Sequence, residues 1–401
     1  MQYCIQTLRE NTLMIISKRN SNFLLLFYSL IAVLILCFIL QNHIGNRHLY
    51  VFAIGIGLGI SLYHASFGFT GGWRNFIENR KSSSLRAQIL MLAIAVFLFS
   101  FFINEKSWIY DGKMIGAVAP VNLSVVFGSL LFGFAMQLAG GCGSGTLFTA
   151  SGGNEKMAIT LIFFMIGSLI GTYHFDFWSS VPSIGSVSLL NEFGQFQSVI
   201  LQILTLFFLY FLVSKLDRQR NKTINHKDIF DFSNFKLTNG PWPLFLGSIM
   251  LVFFNFLMLQ AAGHPWGVTF AFGLWAAKIV SFIGVDVSSW SFWQLSYPST
   301  ALENSVLADP TTVSNLGIIF GALTASTLAG KFFDKNRLNL KLIYAAIIGG
   351  LLMGYGARLA FGCNIGALFS GIASGSLHGW VWLIFAFIGS LIGVRVRKYF
   401  Y

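Results

Sequence analysis

Phe132 to Gly153 reads FGFAMQLAGGCGSGTLFTASGG, an apolar segment interrupted by a dense glycine run around one cysteine. The pattern returns at Met353 to Gly375, MGYGARLAFGCNIGALFSGIASG. Gly133/Gly354, Leu138/Leu359, Ala139/Ala360, Gly141/Gly362, Cys142/Cys363, Gly145/Gly366, Leu147/Leu368 and Phe148/Phe369 stay in register between the copies. Repetition at one fixed offset reads as two related halves.

The chain around these copies is 55% hydrophobic and 10% charged, with 43 phenylalanines in 401 residues. Its mean hydropathy is +0.70. Polar surface is too scarce to cover a soluble globule, so the reading is an integral membrane protein of the all-α, polytopic class. A net charge of +12 would suggest nucleic acid in a soluble protein. Here the bases sit in short stretches between apolar runs, where lysine and arginine mark the cytoplasmic face, and nucleic-acid binding is excluded. The cysteines at 4, 37, 142 and 363 show neither CxxC nor zinc-type spacing, so no disulfide, metal or cofactor is expected. Cys4 and Cys37 read as incidental.

Arg9, Lys18 and Arg19 precede the apolar run Phe23 to Leu40, read as a retained first span with its N-terminus inside. Further spans are expected at about 49–65, 87–103, 121–139, 157–173 and 198–213. The loop after the second carries Gly71 and Gly72 and then Arg74, Arg80, Lys81 and Arg86. A basic linker, 215–240, joins the halves through Lys215, Arg218, Arg220, Lys222, Lys227 and Lys236. The expected divisions are 1–45 (an extra first span), 46–214 (first half), 215–240 (linker) and 241–401 (second half).

Simple counting fails in the second half. If 266–285 crossed completely, the basic loop Lys331, Lys335, Arg337, Lys341 would fall outside, and the acidic stretch with Asp286, Glu303 and Asp309 would fall inside. Treating 266–285 as a broken, re-entrant helix removes both violations and leaves about ten full spans, with both termini cytoplasmic. The halves then have opposite orientation. Thr70 to Phe76 and Cys142 lie toward the cytoplasm, and Pro265 to Lys278 and Cys363 toward the outside, as an inverted-topology repeat requires. Frayed backbone at membrane depth is tolerated where protein or water satisfies it, so the architecture points to a transporter or channel with its path at the repeat interface.

A short helix starting near Gly145 or Gly366 would aim free N–H groups and a positive dipole end at whatever lies beside the cysteine, which suits an anion. A neutral thiol adds a weak donor and a soft surface matched to terminal sulfur. Glycine runs in membrane helices also serve merely to let backbones approach; duplication with cysteine at the same place favours the pathway. Arg358 lies within an apolar span, where an arginine is functional by default, although Gln137 holds the equivalent place. Arg74 and Lys278, one in each broken-helix motif, are candidates for attracting anions, and Arg74 also fits a topology anchor.

GFTGGWRNF (68–76), LAGGCGSG (138–145), HPWGVTFAFGLWAAK (264–278) and MGYGARLAFGCNIGALFSGIASGSLHGW (353–380) resemble the signature segments of the YeeE/YedE family of bacterial inner-membrane proteins. The resemblance covers nearly the whole chain after the first span. It implies import of thiosulfate along a central path where cysteine thiols hand the ion on, with a small cytosolic TusA-like sulfurtransferase as a common partner. Cys142 and Cys363 match two of the family's cysteine positions; Gly68 stands where family members typically carry a third. The expected path residues are therefore Cys142 and Cys363, with Gly68, Thr70, Gly141, Gly143, Gly145, Gly362, Asn364 and Gly366. The alternatives are a related sulfur or selenium species, or a membrane sulfurtransferase forming a cysteine persulfide. Covalent transfer needs a thiolate and a nearby base or cation, and neither cysteine has His, Lys or Asp within several residues, so transport is preferred over an enzyme.

Overall fold

Apolar runs of this length satisfy their backbone internally only as helices, and helices dominate the structure. A computed structural model describes residues 2–222, 228–333 and 338–401, with side chains from residue 21 onward. Lys227 of the linker and Lys335 and Arg337 of the 331–341 loop lie outside the described residues, as do the side chains of Cys4, Arg9, Lys18 and Arg19.

The first half contains α1 (Gln2–Ile39), α2 (Asn46–Ala65), α3 (Phe69–Asn79), α4 (Ser83–Ser100), α5 (Leu123–Ala139), α6 (Gly143–Ser151) and α7 (Glu155–Tyr173). Short α8 (Phe175–Ser179) and α9 (Leu189–Phe193) lead to α10 (Gln195–Asn221). The second half contains α11 (Leu244–Ala262), α12 (Thr269–Phe282), α13 (Ser296–Glu303), α14 (Pro310–Leu328) and α15 (Leu340–Leu359). A π-helical turn, Asn364–Ser370, continues as α16 (Gly371–Ala373), and α17 (Leu377–Arg397) follows. Strands β1 (Pro120–Asn122) and β2 (Ser183–Ser186) form one small antiparallel pair, Pro120 opposite Ser186.

Ten segments among the described residues are long and apolar enough to cross a membrane. At 14 residues, α12 is only about 21 Å long, short of a hydrocarbon core of about 30 Å. It follows the non-helical stretch 263–268, as expected for a broken segment at 266–285. The linker differs from the sequence reading at its start: Lys215, Arg218 and Arg220 belong to α10, which runs to Asn221. The cause is Asp217, which accepts from Ser82 N (2.8 Å) and Ser82 Oγ (2.6 Å) and ties the end of α10 to the start of α4.

Packing follows the repeat. α2 lies along α14 and α4 along α11; α5 lies along α17 and α7 along α15; α5 and α15 meet across the middle. α1 rests on α14 and α10 on α4, the counterpart of α14 in the repeat. The two halves run in opposite directions. Arg47, at the start of α2, donates to the carbonyls of Ala261 and Ala262 at the end of α11, whereas Trp242 N, just before α11, donates to His64 O near the end of α2. Gly128 likewise meets Gly356 and Leu359 while Gly349 meets Ala139. Gly133 and Gly354, equivalent in the repeat, are pressed on the Ala386 and Phe164 carbonyls, so a Cβ at either would overlap the neighbouring backbone.

Candidate functional site

Each cysteine caps the helix that follows it. Gly140 (φ 88°) and its counterpart Phe361 (φ 53°) turn the chain off the ends of α5 and α15 in left-handed conformations. Cys142 and Cys363 then take extended conformations as N-caps, with Cys142 Sγ accepting from Gly145 N and Cys363 Sγ from Ile365 N, both at 3.4 Å. A sulfur used as the acceptor of the cap keeps its S–H hydrogen as a donor for something else. Ser144 Oγ stands 3.6 Å from Cys142 Sγ.

The two caps converge. A Cβ added at Gly143 would lie 3.0 Å from Cys363 Sγ and 3.4 Å from Thr269 Cγ2. The Ser144 N–H also faces the Cys363 sulfur. The starts of α6, α12 and the 364–370 turn therefore gather at one place, and their uncapped N–H groups and dipoles favour negative charge there. α3 and α12 have no side-chain cap. Thr70, at the start of α3, is held by Gln137, whose Nε2 donates to the Thr70 carbonyl (3.3 Å).

Two kinds of glycine occupy the motifs. Gly143 and Gly145 crowd the thiols, with Cys142 Sγ 3.2 Å from a Cβ placed at Gly145, and Gly141 and Gly362 face Thr146 and the Ala367 backbone nitrogen. Gly366 and Gly267 have nothing within 4 Å of such a Cβ, and Gly68 has only Ser66 O at 3.8 Å. These three, together with Thr269, are half-buried between fully buried neighbours such as Phe69, Val268, Ile365 and Ala367. Open space therefore reaches the central region at several points of both halves. The polar lining is under-used: Thr70 Oγ1, Thr146 Oγ1 and both amide atoms of Asn364 are enclosed without a hydrogen-bond partner. Leaving such atoms unpaired costs about 1–3 kcal/mol each, so they suit a polar cargo.

The non-helical stretch 263–268 is held by buried amides. Asn255 accepts from Trp266 N (2.8 Å) and donates to Ser370 Oγ, Ser370 donates to Trp266 O, and Asn315 Nδ2 donates to Val268 O.

The cations predicted from sequence separate. Arg358 lies beside Ser168 (3.3 Å) with its guanidinium 4.6 Å from the Phe292 ring and 5.9 Å from Phe270, and its Nε has no partner. No carboxylate among the described residues pairs with it. Lys278 stands apart, donating to the Leu302 and Asn304 carbonyls (2.7 and 2.6 Å) at the end of α13. It borders a surface pocket of about 640 Å³ with Asp286 and Glu303. Arg74 lies one turn beyond Thr70 on α3, with Nη1 enclosed and unpartnered. Thr269 is the residue that sequence reasoning missed. Its signal was present: Gly68-Phe69-Thr70 recurs as Gly267-Val268-Thr269 at the second break.

The sulphur transport family profile matches residues 64–392, a range that contains both broken helices and both cysteine caps. The chain belongs to the sulphur transport family. Among relatives of the family, it is 24% identical to the thiosulfate transporter TsuA of Spirochaeta thermophila over 360 residues, 84% of this chain and 95% of that one. It is 23% identical to TsuA of Escherichia coli K12 over 356 residues, 84% and 90% of the two chains. The probable transporter YedE of Escherichia coli K12 is 35% identical over 133 residues, 33% of this chain, and the match spans about a third (32%) of that relative.

Proposed function

We propose that this multi-pass membrane protein imports a small sulfur-containing anion, thiosulfate first among them, with Cys363 and Cys142 as successive contacts. The observation that carries this reading is the meeting of Gly143 with the Cys363 thiol: each half supplies a helix N-terminus capped by a thiol, and the two join where α12 also begins. Two thiosulfate transporters among the relatives, aligned over most of their length, support the substrate.

The anion enters past Gly267 and Thr269, receives hydrogen bonds from helix N–H groups and thiols, and leaves past Thr70 and Gly68. A neutral thiol accommodates the soft terminal sulfur without repelling the dianion. Arg358, unpaired and caged by aromatic rings, raises the local anion concentration at the outer approach. The charge pattern puts the basic loops, and both termini, on the cytoplasmic side of a bacterial inner membrane. In this reading α10 opens the second repeat as α1 opens the first, which accounts for the way those helices rest on α4 and α14.

Carrying a dianion inward against an inside-negative potential costs roughly 4.6 kcal/mol per 100 mV. Consumption by a cytosolic sulfur acceptor of the TusA-like type, docking near Lys215 to Lys236 or on the Arg74 to Arg86 segment through Arg80 and Lys81, since Arg86 itself is buried, keeps the internal concentration low. Proteoliposomes loaded with thiosulfate-free buffer test both statements. Saturable thiosulfate entry is expected. Accumulation above the passive level under an imposed pH gradient, with no acceptor inside, overturns the consumption scheme in favour of proton co-transport.

A further inference from the structure

The end of α5, three residues before Cys142, is covered by a concentration of positive charge. Lys156 Nζ donates to Ala139 O, Arg397 Nη1 to Gln137 O (2.8 Å), and Tyr401 Oη to Leu138 O (3.1 Å) and Ala139 O (3.3 Å). The Tyr401 ring meets both cations, with Arg397 Cζ 3.2 Å and Lys156 Nζ 4.4 Å from its centroid. All three groups crowd Gly140, two residues before Cys142. Arg74 is a third positive charge acting on both Lys156 and Arg397. Its enclosed Nη1 has no partner, and it shares a face of α3 with Thr70, four residues earlier.

One cation is enough to complement the negative end of a helix. Here Lys156 and Arg397 both serve it, with Arg74 acting on each; Lys156 is only 8% exposed, and none of the three makes an ion pair among the described residues, Glu78 acting on Arg397 without pairing with it. A buried charge without a counter-ion is costly. The arrangement makes sense if the counter-ion is the cargo.

We propose that Arg74, Lys156 and Arg397 form a second anion site, at the cytoplasmic mouth, which takes the sulfur oxyanion from Cys142 while the Tyr401 ring swings aside. This rests on the transport reading and adds to it a site on the far side of the thiols. The anion replaces the α5 carbonyls as partner of Lys156 and Arg397, so the ring and the cargo compete for the same two cations. Sulfate and thiosulfate, sharing the oxyanion face, should both bind there; the thiols alone discriminate for sulfur.

Thiosulfate flux is measured in right-side-out and inside-out vesicles, and binding of thiosulfate and of sulfate by titration of the purified protein, with thermal unfolding in parallel. In Lys156→Gln/Arg397→Gln, KM from the cytoplasmic face is expected to rise about ten-fold or more, and KM from the outer face to stay within about two-fold. Tyr401→Ala, which leaves the cations in place, is expected to lower the cytoplasmic KM. Equal changes on both faces mark a mere helix cap and overturn the proposal, as does unchanged sulfate binding in the double variant. Oxyanion binding lost in that variant, with no flux in the parent protein from either face, keeps the site and overturns transport.

Discussion

Gly143, the first residue of α6, is packed against the Cys363 thiol of the opposite half, so that a side chain at 143 would begin 3.0 Å from Cys363 Sγ and 3.3 Å from its Cβ. The contact couples the two repeats at the point where their helix N-termini meet. Gly143→Ala is therefore expected to push Cys363 from its cap, costing about 1–3 kcal/mol of stability and lowering thiosulfate uptake by about ten-fold or more. Parallel uptake and thermal-unfolding measurements check it; unaltered uptake would show that the thiol's position is not critical.

Gly68 contrasts with Gly133. A Cβ at Gly68 meets only Ser66 O, at an ordinary 3.8 Å, while one at Gly133 overlaps Ala386. Gly68→Cys should leave the unfolding temperature unchanged and react with a water-soluble maleimide, an effect that excess thiosulfate slows. Gly133→Val and Gly354→Val should both reduce the yield of folded protein by forcing α5 from α17 and α15 from α7. A Gly68→Cys protein inert to maleimide would remove Gly68 from the path.

The contrast shows what the sequence could and could not convey. Duplication picked out Cys142 and Cys363, which prove to be paired helix caps, and charge parity picked out the interruption before α12, a helix shorter than a span, because both rest on local pattern. It could not separate the glycines that admit a neighbouring helix from those that leave space, since the difference lies in the opposing chain: Ala386 against Gly133, nothing against Gly366. Lys278 and Arg358 looked alike as cations in apolar stretches. Only tertiary structure hands Lys278 to the carbonyls of α13 and leaves Arg358 among Phe270, Phe292 and Ser168. Nothing near Arg397 in sequence announces that it meets the end of α5.

Removing Arg358 should separate function from stability. An unpaired, enclosed guanidinium contributes little to folding and can oppose it. Arg358→Met is expected to keep or raise the unfolding temperature while increasing the KM for thiosulfate about ten-fold. A variant that instead loses stability and keeps its KM would make Arg358 a packing residue.

Phe361 occupies the left-handed conformation that Gly140 takes in the other half, at a cost of roughly 1–2 kcal/mol for a residue with a Cβ. Phe361→Gly should recover part of that, offset by the greater freedom of glycine in the unfolded chain. A stability change near zero or slightly positive is expected by thermal unfolding, whereas a loss above about 2 kcal/mol would mean that the Phe361 side chain is itself structural.

The thiol relay is tested most directly by thiosulfate uptake in a strain lacking its own importers, comparing the parent protein with Cys142→Ala, Cys363→Ala and the double variant at matched membrane levels. Uptake by the parent, a strong reduction in each single variant and abolition in the double variant are expected. Full uptake by the double variant would contradict the relay outright.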